Sequence, residues 1–250
     1  MCTIVVARRP GHAWPLVVGA NRDEMIDRPW AAPGRHWPER PEVVAGLDHV
    51  AGGSWMGVNE HGLTAAILNR KGTLGPATGK RSRGEIVLEA LDHVDAADAA
   101  AALVHLDPEA YRPFNLVVAD NRDAFWLAHT GTGPIVVEKL PEGISMLAER
   151  DLNDLANPRI GRYLSRFRAV RMPDPDADDW REWAELLTDR QGDSAHGEEG
   201  SLAFLRASGF GTVSHSLLAL PAVGRDVPPV WRFAKASEAE VEWQEIPLAG

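Results

Sequence analysis

The single cysteine of this chain is its second residue, in "MCTIVVARRP", directly behind the initiator methionine and at the head of an apolar run. Methionine aminopeptidases remove Met1 when the next side chain is small, and cysteine qualifies. The chain would then begin with a thiol and a free α-amine on one residue. An α-amine of ordinary pKa, about 7.7 to 8.0, can take the thiol proton near neutral pH, giving a nucleophile with a built-in base. Such a nucleophile needs a nearby cation to favour the thiolate, a carboxylate to orient the amine, and a donor for the developing oxyanion. The tetrad "NRDE" at 21–24 offers Arg22 and Asp23 for the first two tasks, and Asn69, at the end of "GLTAAILN", offers an amide for the third.

These groups must be brought together by the elements that carry them. Thr3 to Ala7 and Leu16 to Ala20 are apolar and rich in β-branched residues, and the intervening segment contains Pro10-Gly11, which predicts a hairpin. A turn centred near Gly11 and His12 sets Cys2 opposite Asn21, where antiparallel partners lie about 5 Å apart. A second hairpin is expected in "SWMGVNEHGLTAAILNR", with "NEHG" as its turn and Asn69 at the far end of the returning strand. Ser82 with Glu85 has capping-box spacing ahead of a helix through Val94, and Asp95 starts another toward Leu106.

Strand-like segments follow at 114–119, 125–129, 135–139 and 144–147, spaced as a meander. Residues 158–171 have amphipathic helical spacing, and "WREWAELL" reads as a shorter helix. Stretches at 213–220, 230–233 and 241–246 close the chain as strands. The order of strands and helices predicts antiparallel sheets with helices on their faces, in one domain over 1–250 with exposed connections at 172–179 and 189–201.

"MCTIVVA", "ANRDE" and "GGSWMGVNEHGLTAAILNR" together resemble the NRDE family, also called the transport and Golgi organisation family. They are similar, more remotely, to cysteine N-terminal-nucleophile hydrolases such as choloylglycine hydrolase and penicillin V acylase. The resemblance implies an α+β fold, the four-layer αββα sandwich of antiparallel sheets. It assigns Cys2 as nucleophile, Arg22 and Asp23 as its supporting pair, and Asn69 as an oxyanion donor. Two departures are visible. The Arg and Asp are adjacent here, whereas in the hydrolases two residues separate them, and "LAERDLND" puts Glu149 where the hydrolases carry an asparagine, with Asn153 the nearest amide. A carboxylate facing an oxyanion raises the barrier to acyl transfer.

The expected activity is hydrolysis of a linear amide C–N bond in a small or amphipathic molecule through a thioester. No cofactor is required. The family's links to haem handling give the alternative of non-catalytic binding or trafficking of haem or a similar amphipathic ligand. Nine histidines and nine tryptophans suit a flat apolar ligand, yet no spacing singles out axial ligands. Asn21, Trp55, Asn59, Glu149 and Asn153 are the candidate ligand contacts. Two of them have a plainer reading: turn chemistry for Asn59 and core packing for Trp55.

A formal net charge of −10 leaves no basic face for phosphates, so nucleic acid is not an expected partner. No apolar stretch reaches the roughly 20 residues of a membrane span, no signal peptide opens the chain, and one cysteine forms no internal disulfide. A cytoplasmic protein is expected, with oligomeric state left open. No histidine pair has metal-ligand spacing, the serines of "GTVSHSLLAL" lack a Gly-x-Ser-x-Gly elbow, and neither "GTGP" nor "GGSWMG" has phosphate-loop spacing.

Overall fold

The computed structural model describes residues 2–192, 197, 200–236 and 241–248. Thirteen strands and four α-helices are found among them, gathered into two compact units: Met1–Arg28 with Pro141–Ile246, and Pro29–Leu140 with Pro247–Gly250. The single-domain expectation for 1–250 thus meets a chain whose first unit is drawn from both of its ends.

The first unit is built on a six-stranded antiparallel sheet. Its strands are β1 (Thr3–Arg8), β2 (Leu16–Met25), β10 (Gly143–Leu147), β11 (Phe210–Leu220), β12 (Val230–Lys235) and β13 (Gln244–Glu245), in the spatial order β10-β1-β2-β11-β12-β13. One face, carrying Val5, Ala7, Val17, Met146, Leu217 and Ala219, packs on two helices. These are α3 (Pro158–Ala169), through Ile160, Tyr163, Leu164 and Phe167, and α4 (Arg181–Leu187), through Trp183, Leu186 and Leu187. Residues of the opposite face, Ile4, Val6, Val18 and Leu218 among them, are buried as well. That is why these strands read as continuous apolar runs without polar alternation.

The first hairpin forms, with a register one residue away from the expected one. Thr3 faces Asn21, and the Arg9 N–H donates to the Pro15 carbonyl at 2.7 Å. The loop is therefore centred on His12 alone, with Gly11 at φ +81°. Since a one-residue slip exchanges the faces of a strand, Asn21 shares a face with Thr3, and Cys2 falls in line with Arg22.

The second unit carries a seven-stranded antiparallel sheet that follows chain order, from β3 (Trp30–Gly34) through β4 (Val43–Asp48), β5 (Met56–Asn59), β6 (Thr64–Asn69), β7 (Phe114–Ala119) and β8 (Ala124–His129) to β9 (Val136–Lys139). Its packed face sets Val43, Ala45, Ala65, Leu116 and Leu127 against α1 (Gly84–Leu91) and α2 (Ala96–Leu103). The expected meander is cut short: β10 leaves it and pairs with β1, Ile4 opposite Leu147. The capping box is also absent. The Ser82 hydroxyl accepts from Gly84 N at 3.2 Å, and the Glu85 carboxylate is held by Arg81 at 2.6 Å. Asp95 does cap α2, accepting from Asp98 N at 2.9 Å.

Of the expected exposed connections, 172–179 is largely on the surface. The stretch 189–201 lies partly outside the described residues, and its described ends are anchored. Asp189 accepts from Tyr163 and Arg166 at 2.8 Å each, and Ser201 is buried. Among the described residues no helix is long and apolar enough to cross a membrane.

One close approach inside the second unit is testable. The backbone of Gly53 lies on that of Gly84 at the start of α1, so a Cβ on Gly53 would meet the Gly84 carbonyl carbon at 2.4 Å. Main chain cannot rotate away as a side chain can. Gly53→Ala is expected to destabilise the fold by at least ~1–3 kcal/mol, the usual cost of overpacking, read as a lower urea midpoint with an unchanged slope. An unaltered midpoint would show that the two segments separate freely.

Candidate active site

β1 lies between β10 and β2, so Cys2 stands at the head of an interior strand of its sheet, half-buried. Its Sγ accepts a hydrogen bond from the Asp23 N–H at 3.3 Å, and the thiol also lies 3.6 Å from the Asp23 carbonyl, to which it can donate. Burial pushes this thiol above its ordinary pKa, and the Asp23 charge adds to the effect. The charge of the N-terminal amine, the Asp23 N–H and the Arg22 charge pull the other way without prevailing. Arg22 therefore does not make Cys2 an acidic thiol, as the sequence led us to expect: desolvation outweighs one neighbouring guanidinium.

The NRDE tetrad runs along β2, and strand alternation separates its members. Asn21 and Asp23 point to the side of Thr3 and α3, while Arg22 points to the other side, across from Ser214 of β11. Asn21 is fully engaged. Its Nδ2 donates to the Leu187 and Leu202 carbonyls at 2.8 and 2.9 Å, and its Oδ1 lies 2.8 Å from His215 Nδ1. Since Asn21 Oδ1 can only accept, His215 carries a proton on Nδ1. Burial lowers the His215 pKa to about 4. Glu24 closes the tetrad at the strand end, where its carboxylate accepts from Met25 N at 2.9 Å and faces Arg28 at 3.9 Å.

Asp23 is the centre of the arrangement. Its side chain is fully buried, and Oδ2 accepts from Arg159 Nη1 at 2.7 Å while Oδ1 accepts from Thr212 Oγ1 at 2.8 Å. The same Arg159 nitrogen reaches Thr3 Oγ1 at 3.2 Å, and its guanidinium lies 4.8 Å from the centre of the Phe204 ring. Burial disfavours the carboxylate, but the charge of the N-terminal amine and, after it, the Arg159 charge and hydrogen bond hold it below the usual range. Thr212 reaches Asp23 at an irregularity in the β2–β11 ladder between Thr212 and Ser214.

Neither Arg159 nor Thr212 is a candidate from the sequence. A signal for Arg159 exists nonetheless. Asn157 caps α3 by accepting from Arg159 N and Ile160 N at 3.0 and 3.2 Å, so Arg159 sits in the first turn, at the positive end of the helix dipole. It is also one turn before Tyr163, on the buried stripe. A cation in that position needs a carboxylate partner.

The remaining sequence candidates divide between the units. In the first, Glu149 follows β10, two residues beyond the last pairing of that strand with β1, Ile4 opposite Leu147. Asn153, at φ +57°, turns back onto β10: its Oδ1 accepts from Met146 N at 2.8 Å and its Nδ2 lies 3.4 Å from Ser145 Oγ. In the second, Asn59 builds the "NEHG" turn, accepting from His61 N and Leu63 N at 3.1 and 3.0 Å and donating to Leu91 O and His93 O at 2.9 and 2.7 Å. Trp55 meets Trp30 edge-on at 5.7 Å, and a Cβ on Gly46 would collide with its indole at 2.2 Å. Asn69 ends β6, half-buried and opposite Phe114. Among the described residues no group of three or more His, Cys, Asp or Glu side chains is placed to hold a metal ion.

Residues 1–224 match the model of the family described as Transport and Golgi organisation 2. The chain belongs to that family. A curated relative from Bos taurus, Transport and Golgi organization protein 2 homolog, is 34% identical over 114 residues, and the Homo sapiens homolog is 32% identical over the same length. Each match covers 44% of this chain and 40% of the relative.

Solved structures share the fold at low identity. A Caenorhabditis elegans N-acylethanolamine-hydrolyzing acid amidase ortholog superposes with TM-score 0.57 at 13% identity, over 87% of this chain and 92% of its own. The C2A mutant of conjugated bile acid hydrolase from Clostridium perfringens gives 0.56 at 13%, over 100% and 94%. Penicillin V acylase from Agrobacterium tumefaciens gives 0.54 at 12%, over 98% and 86%. The family member therefore has the α+β fold of antiparallel sheets found in N-terminal-nucleophile hydrolases, as its sequence led us to expect.

The buried histidine beneath the tetrad gives a pH signature. A His215 pKa of about 4 in the fold, against an ordinary 6.5, means that only the unfolded chain binds a proton between those values. Stability contributed by neutral His215 is full above pH 6.5 and is lost on acidification toward pH 4, by about 3 kcal/mol if the whole difference is expressed. Urea unfolding across this window should show the slope, and His215→Gln, which keeps a donor for Asn21, should flatten it. An equal slope in both proteins would place the proton elsewhere.

Proposed function

We propose that this family member hydrolyses a linear amide C–N bond in a small or amphipathic molecule, with Cys2 as the nucleophile. The observation that carries the reading is the placing of Cys2 Sγ at the head of an interior strand, against the Asp23 N–H at 3.3 Å. The fold around it is shared with proteins named as hydrolases and an acylase of other molecules.

In this reading Met1 is removed and the Cys2 α-amine takes the thiol proton as Sγ forms a bond to the amide carbonyl carbon. The tetrahedral adduct collapses as the C–N bond breaks and the amine nitrogen receives that proton, leaving a thioester. Water, deprotonated by the same α-amine, attacks the thioester. The C–S bond then breaks, the acid leaves, and the proton returns to sulfur. Arg22 and Asp23 set the ionisation of the pair, and the family resemblance assigns the oxyanion donor to Asn69.

A second reading draws on Glu149, which follows the strand paired with β1, and on the raised thiol. Both weigh against acyl transfer, which leaves binding of haem or a similar amphipathic ligand without turnover, for which no resident cofactor is required. Haem as a ligand rests on the family resemblance and on the ability of a cysteine thiolate to bind iron.

The deciding experiment is incubation of the full chain with a panel of fluorogenic N-acyl amides of graded acyl length, followed by amine release and intact mass. Amidase chemistry predicts an acyl adduct confined to an N-terminal peptide beginning at Cys2, and a loss of roughly 10³-fold or more in Cys2→Ala. Full turnover in Cys2→Ser or Cys2→Ala rules out Cys2 as the nucleophile. No release and no adduct, with a saturable haemin absorption shift that Cys2→Ala removes, selects the binding reading.

A further inference from the structure

We propose that His129 is an acid-sensitive latch in the second unit: neutral, it closes the end of the sheet where β6, β7 and β8 meet their loops, and protonated, it releases that end. The latch is a property of the fold, so it stands whether or not Cys2 is a nucleophile.

The latch is built on one cross-strand row. Asn69 faces Phe114 across β6 and β7, and Phe114 faces His129 across β7 and β8. All three therefore share the face that packs on α1 and α2, where Phe114 is a core residue. The rings of Phe114 and His129 lie 5.9 Å apart, tilted by 54°. The main chain just after His129 is pinned as well: a Cβ on Gly131, at φ +107°, would come within 3.2 Å of Pro113, the residue before Phe114. His129 is left 2% exposed, and its Nδ1 is buried with no hydrogen-bond partner among the described residues.

That nitrogen decides the chemistry. A neutral imidazole can keep its one proton on Nε2 and leave Nδ1 as a bare acceptor. An imidazolium carries a proton on both nitrogens, so the second must enter Nδ1, where no acceptor waits, together with a charge that water scarcely reaches. Three charged side chains act on the ring. Glu109, in the turn before β7, favours the charged form, while Lys80 and Arg70, in the connection from β6 to α1, oppose it. Lys80 also holds the Glu109 carboxylate at 3.5 Å, so the one acid is already engaged. Burial is the largest influence and, with the two cations, keeps the His129 pKa below its ordinary 6.5.

A proton is therefore taken up readily only when this end of the sheet opens. Closure is at full strength above pH 6.5 and weakens as the pH falls toward the depressed value of the fold, by up to about tenfold in the opening equilibrium for each unit between the two. Strand ends and their loops open at lower cost than a whole core, so the response is local. Asn69 lies in the same row, and the release would loosen the strand end that carries it.

Amide hydrogen exchange of the full chain, read by mass and corrected for the intrinsic effect of pH, tests the latch. Between about pH 7.5 and about pH 5.5, peptides covering 111–115 and 127–131 should lose protection by roughly tenfold. His129→Phe, which fills the space without titrating, should keep their protection level over the same range, and parent and variant should agree in peptides from β1 and β2. Exchange of the imidazole C2 hydrogen reports histidine ionisation in the parent chain without any variant, and should give His129 a midpoint below 6.5. Parent protection that does not change with pH, an equal loss in folded His129→Phe, or a His129 midpoint at or above 6.5 would each overturn the proposal.

Discussion

The structure around Cys2 depends on a carboxylate and a guanidinium that water does not reach. Asp23 and Arg159 are 136 residues apart in sequence and 2.7 Å apart in space. Neither ion could remain buried alone, because an isolated charge in a protein interior costs several kcal/mol even after relaxation, and removing one partner of such a pair typically costs ~3–5 kcal/mol. The pair therefore fixes more than itself. It ties the first turn of α3 to β2, reaches Thr3 on β1 through the same nitrogen, and draws in Thr212 of β11. Three adjacent strands and one helix converge on a single carboxylate, and the head of β1 is held from behind by that convergence.

The NRDE tetrad makes sense once strand alternation is applied to it. Four consecutive polar residues in a chain usually mark a solvated turn, yet Asn21, Arg22 and Asp23 are buried here in the middle of a sheet. Burial is tolerable for Asn21 and Asp23 because the polar atoms of their side chains meet partners: backbone carbonyls and His215 for Asn21, Arg159 and Thr212 for Asp23. His215 follows from the same logic. A neutral imidazole with its proton on Nδ1 is the form that satisfies Asn21 Oδ1, and desolvation keeps it in that form.

Much of this fold could be read from residue patterns, and the exceptions have physical causes. β1, β2, β7 and β11 announce themselves through β-branched runs, α3 through its apolar stripe, and the "NEHG" turn through Gly62 at φ +78° and the Asn59 side chain. The hairpin register slipped because pairing depends on whether a loop holds an odd or even number of residues, a quantity that Pro10-Gly11 does not fix. The meander broke because nothing local in β10 says which strand edge it will complete. Arg159 and Thr212 were missed for a related reason: their roles are defined by Asp23, a partner distant in sequence. Only the oddity of an arginine on the buried side of a helix start pointed outward from the local pattern.

Likeness of fold leaves the chemistry to be decided by charge placement within a few ångströms of sulfur. Asp23 is double-edged in the reading proposed for Cys2. Its carboxylate holds a neighbouring α-ammonium in place, but the same negative charge raises the pKa of both the ammonium and the thiol, opposing the proton transfer that makes a nucleophile. A free carboxylate would serve orientation at the expense of reactivity. Pairing it with Arg159 on the far side of the strand keeps the carboxylate ionised and fixed in place while the Asp23 main chain meets the sulfur. Arg22, on the other face of β2, pulls the thiol the opposite way without prevailing over burial and the Asp23 charge. The two arginines thus act on different groups: Arg159 fixes the carboxylate, and Arg22 works on the thiol against the larger effect of burial.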